Sequence, residues 1–102
     1  ARILADPQRW AFVERLVRGV HAHLASIDDL IGKSSRNWKV KRMGTVDRNV
    51  LRMATYELAF EDVPARASLD EAIELAKRFG TEDSSAFVNG VLDRIAQDLE
   101  RV

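Results

Sequence analysis

At 102 residues, with 46% apolar and 31% charged positions, the chain has globular rather than disordered composition and is sized for a single domain with one modest core, taken as residues 1–102. The absence of cysteine excludes a disulfide framework and any thiolate metal site, and no apolar run approaches the roughly 20 residues that span a bilayer. With residues 1–6 too short and too charged for a signal peptide, a soluble cytoplasmic protein is expected, and its net charge of zero hides eleven Lys or Arg against five Asp or Glu in residues 1–52 and the reverse in 53–102.

Asp6-Pro7 reads as an N-cap followed by proline at the first helical position. Behind it Val13, Leu16, Val17, Val20, Leu24, Ile27 and Ile31 recur every three or four residues, the spacing of one helix face. One helix over about residues 7–33 is expected, roughly 40 Å long at 1.5 Å per residue. Gly19 inside it costs about 1 kcal/mol relative to alanine, and close approach of another helix would compensate. Gly32, Ser34 and Ser35 end the element. A short helical piece over 36–43 follows and stops at Gly44.

Thr45 suits an N-cap, and Asp47 in the first turn complements the positive end of the helix dipole. Val46, Val50, Met53, Ala54 and Leu58, broadened by Leu51, line one face to about Glu61, and Asp62-Val63-Pro64 breaks the helix. Ser68 and Glu71 have the spacing of a capping box, ahead of the apolar positions Leu69, Ala72, Ile73, Ala76 and Phe79. Gly80 is placed to end that helix in a left-handed conformation. Asp83 or Ser84 starts the last helix, with Val88, Val91, Leu92, Ile95 and Leu99 on its apolar face. Five helical segments and no alternating strand pattern predict an all-α bundle without a sheet.

Little here points to catalysis. His21 and His23, the only histidines, point about 200° apart on a helix and cannot chelate one ion. The acidic pairs Asp28-Asp29, Glu61-Asp62 and Glu82-Asp83 sit where caps and solvated charges explain them. No phosphate-cradling glycine motif is present, so neither metal, cofactor nor enzyme activity is expected. Two features remain. Lys33, Arg36, Lys39, Lys41, Arg42 and Arg48 lie close together around Trp38, which reads either as a solvated face or as an anion-binding patch with a stacking surface. Asn89-Gly90 interrupts the last helix, either for close helix packing or for ligand contact, and Phe87 is either core or an aromatic displayed at the helix start.

The stretch GTVDRNVLRMATYEL, residues 44–58, resembles the "VDR..LR.A.YEL" helix of the NusB family. SLDEAIELAKRFG, residues 68–80, is similar to that family's "INEAVELAKKFG", and TEDSSAFVNGVLDRI, residues 81–95, to its "EDS..FVNGVLD.I". Upstream, residues 12–33 resemble the long "F...LV.GV......ID.LI.K" helix, and Asn37-Trp38 the "NW" turn. A NusB-like domain also precedes the catalytic domain of some ribosomal RNA cytosine methyltransferases. Those domains usually read "INGVLR" where residues 87–93 read FVNGVLD, which favours free NusB. A purely protein-binding helical module is the other alternative.

The resemblance implies a NusB-like bundle acting as a non-catalytic transcription antitermination factor within the transcription elongation complex. It would pair with NusE, a small-subunit ribosomal protein, and bind single-stranded boxA RNA. Asp47, Arg48 and Val50 fall on the NusE-facing helix. Lys39, Lys41, Arg42, Asp83, Ser84 and Phe87 fall on the RNA side. Relative to the family pattern, the sequence begins just ahead of the long middle helix, without the arginine-rich first segment. Uncovered apolar surface, and homo-oligomerisation through it, are therefore expected.

Overall fold

A computed structural model describes residues 7–35 and 43–100. Five α-helices make up these residues: α1 (Pro7–Ala22), α2 (Leu24–Ser34), α3 (Thr45–Phe60), α4 (Ala65–Phe79) and α5 (Ser84–Asp98). No strand occurs among the described residues, as the periodicity predicts. The single long first helix does not form as one rod. His23 takes φ −114° and ψ 22°, bending the chain between α1 and α2, while the hydrogen bonds from His23 N to Gly19 O (3.1 Å) and from Ile27 N to His23 O (2.9 Å) carry the ladder across the bend. The helix expected over 36–43 lies outside the described residues, apart from Met43, which is buried against the core.

Helix α3 lies at the centre, packed against each of the other four. Its Leu51, Ala54 and Leu58 join Ile27 and Ile31 of α2, Leu69, Ala72 and Ala76 of α4, and Val88, Val91, Leu92, Ile95 and Ala96 of α5 in one apolar cluster. The three-to-four spacing of these residues gives each helix a single inward stripe. Alanines at five of the cluster positions keep helix axes close, because a methyl group is the whole side chain there.

Polar contacts fix the angles between helices. Arg52 of α3 grips Asp28 of α2 with both arms, Nε donating to Oδ1 at 2.9 Å and Nη2 to Oδ2 at 2.8 Å. The hydrogen bond to Asp28 raises the Arg52 pKa further, so the pair stays charged. Arg94 of α5 donates from Nη1 to the Ser34 carbonyl at 2.8 Å, satisfying an acceptor left open at the end of α2. On the opposite side, Arg15 of α1 reaches Glu61 at the end of α3, 2.9 Å away.

At Gly19, α1 lies close against α3: a Cβ there would collide with the Tyr56 ring. That ring lies 5.5 Å from the Phe60 ring, which in turn stacks on His23 at 4.1 Å with 17° between planes. The expected compensation for Gly19 is therefore present. Gly90 differs, since nothing lies within 4 Å of its would-be Cβ and Asn89 is exposed, so close packing does not account for this pair.

Three boundary expectations are corrected. Helix α3 starts at Thr45 itself, with Gly44 as the extended N-cap residue and no side-chain cap. Helix α4 begins at Ala65 behind Pro64, so Ser68 is not a cap but a buried residue one turn inside. Proline at the N-cap position fixes φ near the value a helix start needs, and the chain enters the helix a full turn early. Gly80 leaves α4 in an extended conformation, φ −93° and ψ −166°, not a left-handed one. Its hydrogen-bonded turn is completed instead by Ser84, whose Oγ accepts from Thr81 N at 2.8 Å.

Buried inside α4, Ser68 donates its hydroxyl to Glu57 Oε2 at 3.3 Å. Burial pushes the Glu57 carboxyl above its ordinary pKa of 4.5, the charges of Glu71 and Glu61 push the same way, and the Ser68 hydrogen bond pulls back against them. A carboxyl that holds its proton more tightly folded than unfolded adds stability in acid, and that contribution is lost as pH rises through the raised folded value.

Two predictions follow from this packing. Gly19→Ala displaces the Tyr56 ring and lowers stability by about 1 kcal/mol net of the helix-propensity gain, whereas Gly90→Ala raises it by about 0.8–1 kcal/mol; urea unfolding midpoints distinguish the two. Glu57→Gln keeps an oxygen for Ser68 and removes the ionisation. Its unfolding midpoint should match that of the wild type near pH 4 and exceed it at pH 7.5, and equal midpoints at both pH values would refute the assignment.

Candidate functional site

The expected site residues that the structure describes fall at two helix starts. The first is the opening of α3. Glycine 44 lets the chain enter from extended backbone, and the first-turn amides, having no partners within the helix, leave a partial positive charge there. Asp47 stands in that turn, half-buried, and its carboxylate complements the charge. Arg48 beside it is half-buried, and its Nε is fully enclosed without a hydrogen-bond partner. Thr45 and Asn49 complete the exposed edge. Val50 does not belong to it. Only 8% exposed, Val50 faces inward as part of the core cluster, because it lies one turn ahead of Ala54 on the buried stripe.

The second place is the turn from α4 into α5. Asp83 occupies the N-cap position of α5, is exposed, and makes no side-chain cap hydrogen bond. Ser84 is 1% exposed, and its hydroxyl is engaged by Thr81 N at 2.8 Å and by Thr81 Oγ1 at 3.2 Å. It holds the turn together and presents no surface, which corrects its expected role in direct contact. Phe87 is half-buried, with part of its ring packed against the core cluster and part left at the surface. Core and displayed aromatic are thus combined in one residue. Lys39, Lys41 and Arg42 lie outside the described residues.

Sequence periodicity placed Phe79 in the core, yet it is 65% exposed. It sits one turn beyond the buried Ala76, where α4 ends and the chain turns back, so the inward stripe runs past the end of the helices that could cover it. Also missed was a shallow groove between α1 and α3, lined by Ala11, Glu14, Arg15, Arg18, Gly19 and Tyr56. Its arginines pair with Glu61 and Glu14, a pattern that needs the fold to bring positions 15 and 61 together. Among the described residues no group of three or more His, Cys, Asp or Glu is arranged to hold a metal ion, and no helix is long and apolar enough to cross a membrane.

Comparison with known proteins accounts for this arrangement. Residues 2–97 match the NusB family. The transcription antitermination protein NusB of Sorangium cellulosum is 54% identical over 98 residues, covering 95% of this chain and 70% of that protein. The protein of the same name from Thermotoga maritima is 56% identical over 85 residues, covering 82% of this chain and 60% of its own length. In three dimensions, T. maritima NusB superposes with a TM-score of 0.86 at 51% identity, over 91% of this chain and 66% of that one. A chain in a crystal structure described as a plectonemic RNA supercoil superposes with a TM-score of 0.85 at 30% identity, again over 91% of this chain. The spacing of the buried stripes, the superposition of the helices and the identity along nearly all of the sequence agree, and the chain belongs to the NusB family.

Proposed function

We propose that this chain serves transcription antitermination as a non-catalytic adaptor, pairing with NusE and holding single-stranded boxA RNA in the cytoplasm. The observation that carries the reading is 54% identity, along 95% of the chain, to a protein named for that function. Residues 1–102 act in this reading as one helical domain of the adaptor. The start of α3, with Asp47 and Arg48, is the NusE-facing edge. The start of α5, with Asp83 and Phe87, is the RNA-facing edge together with Lys39, Lys41 and Arg42. The exposed Val17 on α1 supplies apolar surface for self-association of the same chain.

Separable surfaces give the test. Asp47→Lys places a cation at the positive end of the α3 dipole, costing about 0.3–1 kcal/mol of stability. Facing a basic partner it should cost NusE affinity far more, because like charges repel at an interface. RNA binding by the same variant should be retained. Replacing Lys39, Lys41 and Arg42 by glutamine should lower RNA affinity and flatten its dependence on salt, leaving NusE binding unchanged. Calorimetry with NusE and fluorescence anisotropy with boxA RNA measure both affinities for each variant. Loss of both ligands in both variants, with folding intact by circular dichroism, would refute the two-surface reading.

A further inference from the structure

We propose that Asn89 is a site of spontaneous deamidation held closed by the fold, so that the Asn89-Gly90 pair turns prolonged unfolding into an irreversible chemical change. The sequence holds three asparagines, Asn37, Asn49 and Asn89, and their successors are Trp38, Val50 and Gly90. Deamidation begins when the amide nitrogen of the following residue attacks the asparagine side-chain carbonyl carbon, and a side chain on that residue crowds the attack. Glycine offers no such crowding. Asn89 is exposed, and nothing lies within 4 Å of a Cβ built at Gly90, so the pair is open to water. Asn49 is likewise exposed and helical, but its successor is the β-branched Val50.

In the first step the Gly90 nitrogen bonds to Asn89 Cγ and gives up its proton to solvent. The bond from Cγ to the side-chain nitrogen breaks, and that nitrogen takes up a proton and leaves as ammonia, with a five-membered succinimide remaining. Water then opens the ring, to aspartate by attack at Cγ or to isoaspartate by attack at the main-chain carbonyl carbon. Helix α5 blocks the first step. Its hydrogen-bond ladder engages the Gly90 amide, and ring closure needs an Asn89 ψ far from the helical value of about −42°. This turn cannot open alone, because Val88, Val91 and Leu92 around it are at most 2% exposed and hold it in the core. Isoaspartate adds a methylene to the main chain, which moves Val91, Leu92 and Ile95 out of phase with the stripe that precedes them. A chain modified while open therefore does not close again around the same core.

The test holds the full chain, Asn89→Gln and Gly90→Ala at mildly alkaline pH, in buffer or in guanidinium chloride. Asn89→Gln keeps the amide but requires a larger, slower-forming ring, and Gly90→Ala restores the crowding. Trypsin releases residues 79–94, a peptide in which Asn89 is the only asparagine. Liquid chromatography with mass spectrometry then separates its asparagine, aspartate and isoaspartate forms. In denaturant Asn89 should convert well before Asn37 or Asn49. In buffer the folded chain should convert at least about a hundredfold more slowly than the denatured one, since a helix anchored in the core opens only with a free energy near the global value. Denatured samples are also diluted back to buffer at intervals. The fraction that regains its circular dichroism should fall as isoaspartate accumulates in the wild type, while both variants refold fully over the same interval. Equal conversion in buffer and denaturant overturns protection by the fold. Conversion of Asn49 as fast as that of Asn89 overturns the part given to Gly90. Full refolding of chains carrying isoaspartate at position 89 overturns the irreversibility.

Discussion

A helix of sixteen residues offers about 24 Å of length and a single circumference, and α3 divides that surface among four neighbours. Each direction around its axis is committed to a different kind of contact. Leu51, Ala54 and Leu58 face the apolar cluster, and Arg52 turns to the carboxylate of α2. Tyr56 lies against the glycine of α1, and Glu57 meets the buried hydroxyl of α4. No position on this helix is spare between Val50 and Leu58 except Met53, which is half-buried. The positions of this helix most open to solvent are therefore at its ends, Thr45 and Asn49 at the start and Phe60, 45% exposed, at the finish.

That division explains why polar groups occur inside the bundle at all. Glu57 and Thr55 are buried in a helix that otherwise supplies core, and Thr55 Oγ1 has no hydrogen-bond partner. Burying such groups costs free energy. The arrangement is tolerated because the same helix gains four packed interfaces. Directional contacts such as the Arg52–Asp28 fork and the Arg94–Ser34 bond add register, which apolar contacts alone leave loosely defined.

Periodicity made the fold class and most of the core legible, since Ile27, Ile31, Leu51, Leu58, Val88, Leu92 and Ile95 follow helical spacing and are all buried. Ends of helices were harder to read. Ser68 and Glu71 have the spacing of a cap, yet Pro64 starts the helix one turn earlier and the serine is needed inside for Glu57. Gly80 was expected to reverse the chain by its own conformation, but the Ser84 side chain does that work from the next helix. Phe79 obeys the period of its helix and still lies outside, because a period says which face a residue occupies and not how far the neighbours extend. The same limit applies to the site. Asp83 and Phe87 reach the surface as expected, while Val50 and Ser84 do not, since one carries the stripe and the other closes a turn.

Helix α1 is joined to the rest differently from the others. Helices α3, α4 and α5 each touch the other two, whereas α1 rests on α3 with a lesser contact to α2. Among the described residues, its attachments include a glycine seated on a tyrosine, Leu16, Val20 against the core and an ion pair at Glu61, with the histidine just beyond its end stacked on Phe60. Such a segment opens without dismantling the remaining triangle, so its amides exchange with solvent through a partial unfolding cheaper than the global one. The bend at His23 marks where that partial unfolding would stop, since α2 beyond it packs on α3 and α5. The chain thus contains two tiers of stability within one bundle, a resistant three-helix base and a more readily released arm.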